Sequence, residues 1–104
     1  MHTTILNFIK HFSSFGPQVT ECFTCGNCYW FAQMLLHRFQ DSYCYIVYDE
    51  VANHFGCAFR INGDTRVFDI TGDVTIQYNW EEWSIVVRND PILAQRIRRD
   101  CIDF

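Results

Sequence analysis

The sequence predicts an α+β fold in which a cysteine-bearing helix packs on a small antiparallel sheet. Apolar residues recur at helical spacing from Asn27 to Phe39. Three segments rich in β-branched and aromatic residues follow, at residues 43–48, 54–61 and 65–70. Between the last two stands Asn62-Gly63, the strongest short-range signal for a β-hairpin. Together these patterns indicate one helix followed by an antiparallel sheet.

The composition indicates a single folded domain spanning residues 1–104. Hydrophobic residues make up 49% of the chain and aromatic residues 17%, which excludes a disordered protein. A net charge of −4 disfavours a nucleic-acid partner. Residues 1–15 lack a secretory pattern and no segment has the length of a membrane span, so we expect a cytoplasmic protein with no membrane partner. Its six cysteines should then be mostly reduced thiols.

The helix from Asn27 to Phe39 places Cys28 in its first turn. Gln33, His37 and Gln40 fall on the side opposite the apolar stripe, and Gly26-Asn27 suits a helix start. Unpaired N–H groups and the helix dipole favour a thiolate at this position. The apolar stripe consists of Cys28, Phe31, Ala32, Leu35, Leu36 and Phe39.

The hairpin signal predicts a specific relation between a histidine and an aspartate. With a two-residue turn at Asn62-Gly63, Ile61 faces Asp64, and His54 and Asp69 project from the same face as diagonal neighbours. Diagonal positions are about 7–8 Å apart at Cα, which long side chains can span. A glycine, Gly56, stands opposite Asp69 and should leave room for the imidazole to lean across.

The remaining elements are predicted from local patterns. Residues 4–15 form a short helix ended by Gly16-Pro17, and residues 18–26 form a loop. The strand at 43–48 is apolar on both faces and should lie inside the sheet. Further strands are expected at 73–78 and 83–87. Asp90-Pro91 starts a terminal helix over 92–101 with solvated arginines and a buried stripe of Ile92, Leu93, Ile97 and Cys101.

Cys28, His54 and Asp69 are the parts of a nucleophile, base and orienting group. The imidazole takes the thiol proton, and the carboxylate fixes the tautomer of the ring and supports its positive charge. The other histidines, His2, His11 and His37, are expected at the surface.

Two stretches resemble known cysteine enzymes. Gly26–Ala32, GNCYWFA, resembles the G-Q-C-W-x-F-A segment around the transglutaminase nucleophile, and Cys25–Cys28 resembles the C-G-S-C-W region of papain. His54-Phe55 followed by Val67–Thr71 resembles the H-a-W … W-x-x-D-x-T pattern of the transglutaminase superfamily. The resemblance implies a papain-like or transglutaminase-like core with Cys28, His54 and Asp69 as its triad. Asn27, Phe55 and Phe68 depart from the pattern.

The expected function is thiol-dependent acyl transfer on a peptide bond or side-chain amide, with a protein or peptide substrate and no cofactor or metal. Water as acceptor would make the protein a peptidase or deamidase, and an amine would make it a transglutaminase. Papain-like enzymes place an oxyanion-hole glutamine shortly before the nucleophile, but the nearest one here, Gln18, lies ten residues upstream.

Two alternatives belong to other functional classes. A domain of the same fold could act without catalysis by binding a partner protein as an inhibitor. A metal-binding module could use Cys22, Cys25 and Cys28, which form a C-x2-C-x2-C run. Structural zinc sites, however, usually combine two separated pairs of ligands, and no second C-x2-C exists in the sequence.

Overall fold

The computed structural model describes residues 1–24 and 27–102, which form an α+β domain built on a five-stranded antiparallel sheet. Three helices precede the strands and two follow them. The elements are α1 His2–Ser13, α2 Pro17–Thr24, α3 Cys28–Arg38, β1 Cys44–Asp49, β2 His54–Ile61, β3 Asp64–Asp69, β4 Gly72–Asp73, β5 Glu81–Glu82, α4 Trp83–Asn89, α5 Pro91–Ile97 and a π-helical turn Arg98–Ile102.

The strands are arranged in the order β4-β3-β2-β1-β5, and every neighbouring pair is antiparallel. The predicted α+β class with an antiparallel sheet is therefore confirmed. Strand β1 lies between β2 and β5, as expected for a strand that is apolar on both faces.

Side chains of β2 alternate between two hydrophobic clusters. Phe55, Cys57 and Phe59 join the main core with the buried stripe of α3. On the opposite face, Ala58 belongs to a smaller cluster with Val47, Val67 and Val74. His54 begins the strand on the same face as Ala58, because residues two apart in a strand share a face. The sheet is thus covered on both sides, and His54 lies at the end of its central strand.

The β2–β3 hairpin has the predicted register. Ile61 pairs with Asp64, and Cys57 pairs with Phe68. Asn62 and Gly63 both adopt positive φ, 52° and 86°, as a type I′ turn requires. The prediction that this turn aligns β2 with β3 is confirmed.

The predicted loop over residues 18–26 is wrong for most of its length, because Pro17–Thr24 is helix α2. Proline at the first helical position is compatible with a helix start, since its missing N–H has no intrahelical partner there. Phe23 then packs against Phe12 and Phe31, with ring centroids 5.6 and 5.3 Å apart. These contacts stabilise a helix that is too short to show a clear apolar period. Helix α1 begins at His2, two residues before the predicted start.

Both strands predicted after Gly72 are wrong. Strand β4 ends at Asp73, because the Asp73 carboxylate accepts the backbone N–H and hydroxyl of Thr75 at 3.0 and 2.6 Å and turns the chain. Residues 83–89 form α4, in which Trp83 and Val86 are buried one turn apart. Trp83 packs on Tyr48 with a centroid distance of 5.4 Å, so burial outweighs the β-propensity of this segment.

The terminal helix starts where predicted, since the Asp90 carboxylate caps it by accepting the Leu93 N–H at 3.1 Å. It is α-helical only to Ile97 and continues as the π-helical turn. The predicted burial of Ile92 is wrong: it is 82% exposed, and Ala94 is buried instead. None of the helices in the described part of the chain is long and apolar enough to cross a membrane.

Candidate active site

Cys28 is the first residue of α3, and Asn27 precedes it as the N-cap. The backbone carbonyl of Asn27 accepts the N–H groups of Trp30 and Phe31, while its side-chain amide donates to the Cys22 carbonyl at 3.3 Å. The cap residue therefore ties the start of α3 to α2 instead of capping through its side chain. Cys28 is 8% exposed, which leaves a small part of the residue open to a reagent or substrate.

Three groups beside the Cys28 thiol favour its ionised form. Burial opposes the thiolate, but the hydrogen bond with His54, a backbone N–H of Phe55 and the charge of His54 lower the pKa of Cys28 below its ordinary value. The backbone N–H of Tyr29, in the first turn of α3, acts in the same direction.

His54 and Asp69 form a buried hydrogen-bonded pair. Their Nε2 and Oδ2 atoms are 2.8 Å apart, and the two residues are 9% and 5% exposed. The other oxygen of Asp69 accepts the backbone N–H and hydroxyl of Thr71 at 2.8 and 2.6 Å. Burial acts against the imidazolium, but hydrogen bonds to Asp69 and Cys28 raise the pKa of His54 to about 9. Burial also acts against the Asp69 carboxylate, but His54 and Thr71 lower its pKa.

The three predicted site residues are therefore brought together, with the imidazole between the thiol and the carboxylate. Because Asp69 engages Nε2, we assign Nδ1 as the ring nitrogen that exchanges a proton with Cys28. The opposite pKa shifts of Cys28 and His54 favour a thiolate–imidazolium pair. This arrangement can supply a nucleophile and a proton donor at the same place.

Two aromatic side chains that the sequence did not predict as site residues lie together on one side of the imidazole. The rings of Tyr78 and Trp80 have their centroids 5.1 and 5.9 Å from that of His54, and 4.9 Å from each other. The Trp80 indole N–H donates to the Val74 carbonyl at 3.2 Å. Burial and the charges of Asp69, Asp49 and Cys28 raise the pKa of Tyr78, so its hydroxyl lies within the electrostatic field of the site.

Gly56 makes room for a different group from the one predicted. A Cβ atom at this position would lie 2.8 Å from Val67 Cγ1 and 3.3 Å from Trp80 Cη2. The absence of a side chain therefore accommodates Val67 and Trp80. The prediction that it makes space for the imidazole is corrected accordingly.

An open depression of about 380 Å³ adjoins the aromatic pair, between residues 49–52 and 76–79. Tyr78 forms part of its wall, and two almost fully exposed aliphatic side chains, Val51 and Ile76, line it as well. The lining residues of the depression include Tyr78, whose ring contacts His54, but neither His54 nor Cys28.

The remaining predictions from the sequence concern Gln18, the cysteine run and His2. Gln18 lies exposed in the first turn of α2. Across residues 1–24 and 27–102, no group of three His, Cys, Asp or Glu residues could hold a metal ion. Cys25 and Gly26 fall outside the described residues, so the proposed C-x2-C-x2-C metal site stays a prediction. His2 is not a free surface residue, because its Nε2 lies 2.7 Å from Oδ2 of Asp73.

No pattern in the sequence predicts that three residues near the site, Asp49, Tyr78 and Trp80, lie close to His54. Asp49 reads as a turn residue at the end of a strand, and the two aromatic residues stand in a segment predicted as a strand. The contact between Asp69 and Thr71 did have a sequence signal. An Asp-x-Thr pattern favours a turn in which the aspartate side chain accepts the backbone N–H two residues later.

Comparison with known proteins identifies one match, to a protein family. Neither a comparison with curated proteins nor one with solved structures finds a match. A protein family described as Phage YunG-like protein matches residues 5–97, a range that includes Cys28, His54 and Asp69. This match covers most of the chain, and the protein belongs to the Phage YunG-like family.

Proposed function

We propose that this protein catalyses thiol-dependent acyl transfer on a peptide bond or a side-chain amide. The observation that carries the proposal is the buried Cys28–His54–Asp69 arrangement, in which the pKa of the thiol is lowered and that of the imidazole is raised. A histidine that only packs in the core, with its hydrogen bonds made, has no use for an ionisable thiol at a helix N-terminus beside it. Perturbed groups of this kind are concentrated at active sites.

The reaction follows from the positions of the three groups. The Cys28 thiolate attacks the carbonyl carbon, and a C–S bond forms as the carbonyl π electrons move to oxygen. His54, protonated at Nδ1, gives its proton to the leaving amine as the C–N bond breaks, which leaves a thioester. An incoming water or amine then attacks the thioester while His54 takes its proton, and the Cys28 thiolate leaves. Asp69 holds the ring in one tautomer throughout.

The same proposal includes a papain-like or transglutaminase-like core. Helix α3 carries the thiol at its first residue, and β2 and β3 supply the histidine and the carboxylate in that chain order. The five described cysteines are free thiols, which suits a cytoplasmic protein. The depression beside Tyr78 offers an open, partly apolar surface for a protein or peptide substrate.

A reactive ester tests the proposal without knowledge of the natural substrate. We expect p-nitrophenyl acetate to transfer its acetyl group to Cys28, with release of about one equivalent of p-nitrophenolate before slower turnover. Peptide mapping by mass spectrometry locates the thioester. Cys28→Ser should abolish the burst, and Cys22→Ser, which removes an exposed thiol, should preserve it.

Acetylation that spreads over the exposed cysteines, or that persists in Cys28→Ser, would contradict the proposal. It would favour the alternative in which the domain acts by binding a partner protein. If the burst is found, release of ammonia from glutamine peptides, cleavage of a peptide, and incorporation of an amine distinguish deamidase, peptidase and transglutaminase activity.

A further inference from the structure

Asp49 is a buried carboxylate that the proposed reaction does not use. It is 5% exposed and stands directly opposite His54 in the β1–β2 register. Its Oδ1 accepts the backbone N–H groups of Val51 and Ala52 at 2.9 and 3.2 Å. Its Oδ2 accepts the backbone N–H of Asn79 at 3.0 Å. Three hydrogen bonds to one buried carboxylate compensate for its desolvation.

The two oxygens serve different parts of the chain. The contacts of Oδ1 are local, because they close the turn that leads from β1 into β2. The contact of Oδ2 reaches 30 residues along the chain, to the segment 74–80 between β4 and β5. Asp49 therefore attaches this irregular segment to the strand end that faces His54.

The segment 74–80 carries both aromatic rings that cover the imidazole. Tyr78 and Trp80 stand on either side of Asn79, whose N–H is the group that Asp49 holds. Both rings contact His54. The Asp49–Asn79 hydrogen bond thus holds the backbone between the two residues whose rings contact His54.

We propose that Asp49 is a positioning residue, which acts on His54 through the segment 74–80 by holding Tyr78 and Trp80 over the imidazole. The rings keep water from the His54–Asp69 hydrogen bond and restrict rotation of the imidazole. Both effects preserve the ring orientation that proton transfer needs. This inference rests on the proposed function for its catalytic meaning, although the contacts themselves do not.

The carboxylate is necessary because both of its oxygens accept hydrogen bonds. In Asp49→Asn, the amide oxygen can still accept from Val51 and Ala52 and keep the turn. The amide nitrogen would then face the Asn79 N–H, and two donors cannot bond to each other. The substitution therefore removes the long-range contact and spares the local one.

Exchange of the His54 Nε2 proton with water is the direct measurement, made by NMR on protein labelled with ¹⁵N-histidine. We expect Asp49→Asn to accelerate this exchange about tenfold, because loss of one buried hydrogen bond favours local opening by that order. The backbone N–H of His11 in α1, labelled in the same sample, serves as an internal reference and should not change. Tyr78→Ala should accelerate the exchange as well, and adding Asp49→Asn to it should give less than the product of the two single effects.

Unchanged His54 exchange in folded Asp49→Asn would overturn the proposal, as would an equal acceleration at the His11 backbone N–H, which would indicate general destabilisation. If Asp49→Asn does not fold, Tyr78→Ala and Trp80→Ala test the covering role. His54 exchange as slow as in the wild type in both of these variants would exclude that role. The rate of Cys28 acetylation is measured in parallel. Absence of that reaction in the wild type would contradict the proposed function and leave the exchange result independent of it.

Discussion

Asp73 repeats, four residues later, the contacts that Asp69 makes. Oδ2 of Asp73 lies 2.7 Å from Nε2 of His2, and Oδ2 of Asp69 lies 2.8 Å from Nε2 of His54. In both cases Oδ1 accepts the N–H and hydroxyl of the threonine two residues later. The surroundings differ, since His54 has the Cys28 thiol beside it, whereas His2 packs on the Phe68 ring. Oδ2 of Asp73 also accepts hydrogen bonds from Nε and Nη2 of Arg66 at 3.0 and 2.7 Å. The chain therefore contains its own reference for a histidine–aspartate pair without a nucleophile.

This pair of aspartates provides a matched test of the orienting role. We expect Asp69→Asn to fold but to lower the rate of Cys28 acetylation greatly, because an amide supports neither the required tautomer nor the imidazolium. In a serine protease triad the equivalent change lowers turnover by about 10⁴-fold. Asp73→Asn should leave the acetylation rate within about twofold of the wild type, since its histidine lies outside the site.

Circular dichroism of both variants controls for folding. Full acetylation activity in Asp69→Asn would show that Asp69 is a turn residue, and the orienting group would then have to be sought elsewhere. Equal losses in both variants would point to a common structural effect.

The pH dependence of alkylation tests the thiolate–imidazolium pair. The pKa of Cys28 is lowered, so its thiolate persists at pH values where an ordinary thiol is protonated. Between about pH 6 and pH 8 we expect iodoacetamide to label Cys28 faster than the exposed Cys22, with a weaker dependence on pH. His54→Ala removes two of the contributions that lower the pKa and should move the Cys28 profile to higher pH.

Mass spectrometry of labelled peptides gives the rate at each cysteine separately. Equal rates at Cys28 and Cys22 in the folded protein, or a Cys28 profile that His54→Ala does not move, would contradict the assignment of the pair.

The parts of the site that the sequence predicted depend on local signals. The Asn62-Gly63 turn fixes the hairpin register over a few residues, and that register places His54 near Asp69. The apolar period of α3 is long enough to identify a helix and to place Cys28 in its first turn. Neither inference needed knowledge of distant contacts.

The missed parts depend on contacts between distant segments. The bond from Asp49 to Asn79 spans 30 residues and holds the backbone between Tyr78 and Trp80. Residues 83–87 have the composition of a strand, but burial of Trp83 against Phe55, with centroids 5.0 Å apart, accompanies a helix there. Local propensity cannot predict such features.

The Asp73 carboxylate should contribute to stability above the acid range. Burial alone would raise the pKa of Asp73, but Thr75, His2 and Arg66 outweigh it and lower the pKa. A group with a lowered folded-state pKa stabilises the protein above its unfolded pKa, near 3.9, and this contribution is lost as the pH falls toward the folded value. We therefore expect the destabilisation caused by Asp73→Asn to shrink below about pH 4, by up to about 1.4 kcal/mol per pH unit.

Urea denaturation at pH 3 and pH 5 measures the two free energies of unfolding. A difference between wild type and Asp73→Asn that stays constant over this range would show that the carboxylate titrates alike in the folded and unfolded states.

Two glycines in the same hairpin should respond differently to alanine. Gly63 has φ +86°, and a Cβ there would meet no atom within 4 Å, so Gly63→Ala has only a backbone cost. We expect a loss of about 1–2 kcal/mol in the free energy of unfolding, with Cys28 alkylation unchanged. In Gly56→Ala, the new Cβ would lie 2.8 Å from Val67 Cγ1, so that something must shift, and it would press at 3.3 Å on both Trp80 Cη2 and the Phe68 carbonyl oxygen.

Displacement of Trp80 would disturb the cover over His54. Gly56→Ala should therefore lower stability by about 1–3 kcal/mol and also lower the ratio of Cys28 to Cys22 alkylation rates, because Trp80 contacts the imidazole. Urea denaturation and peptide mapping on the same samples give both quantities. If Gly63→Ala lowered the alkylation ratio as much as Gly56→Ala does, loss of hairpin stability alone would explain both effects. A ratio unchanged by Gly56→Ala would mean that Val67 yields and Trp80 stays in place.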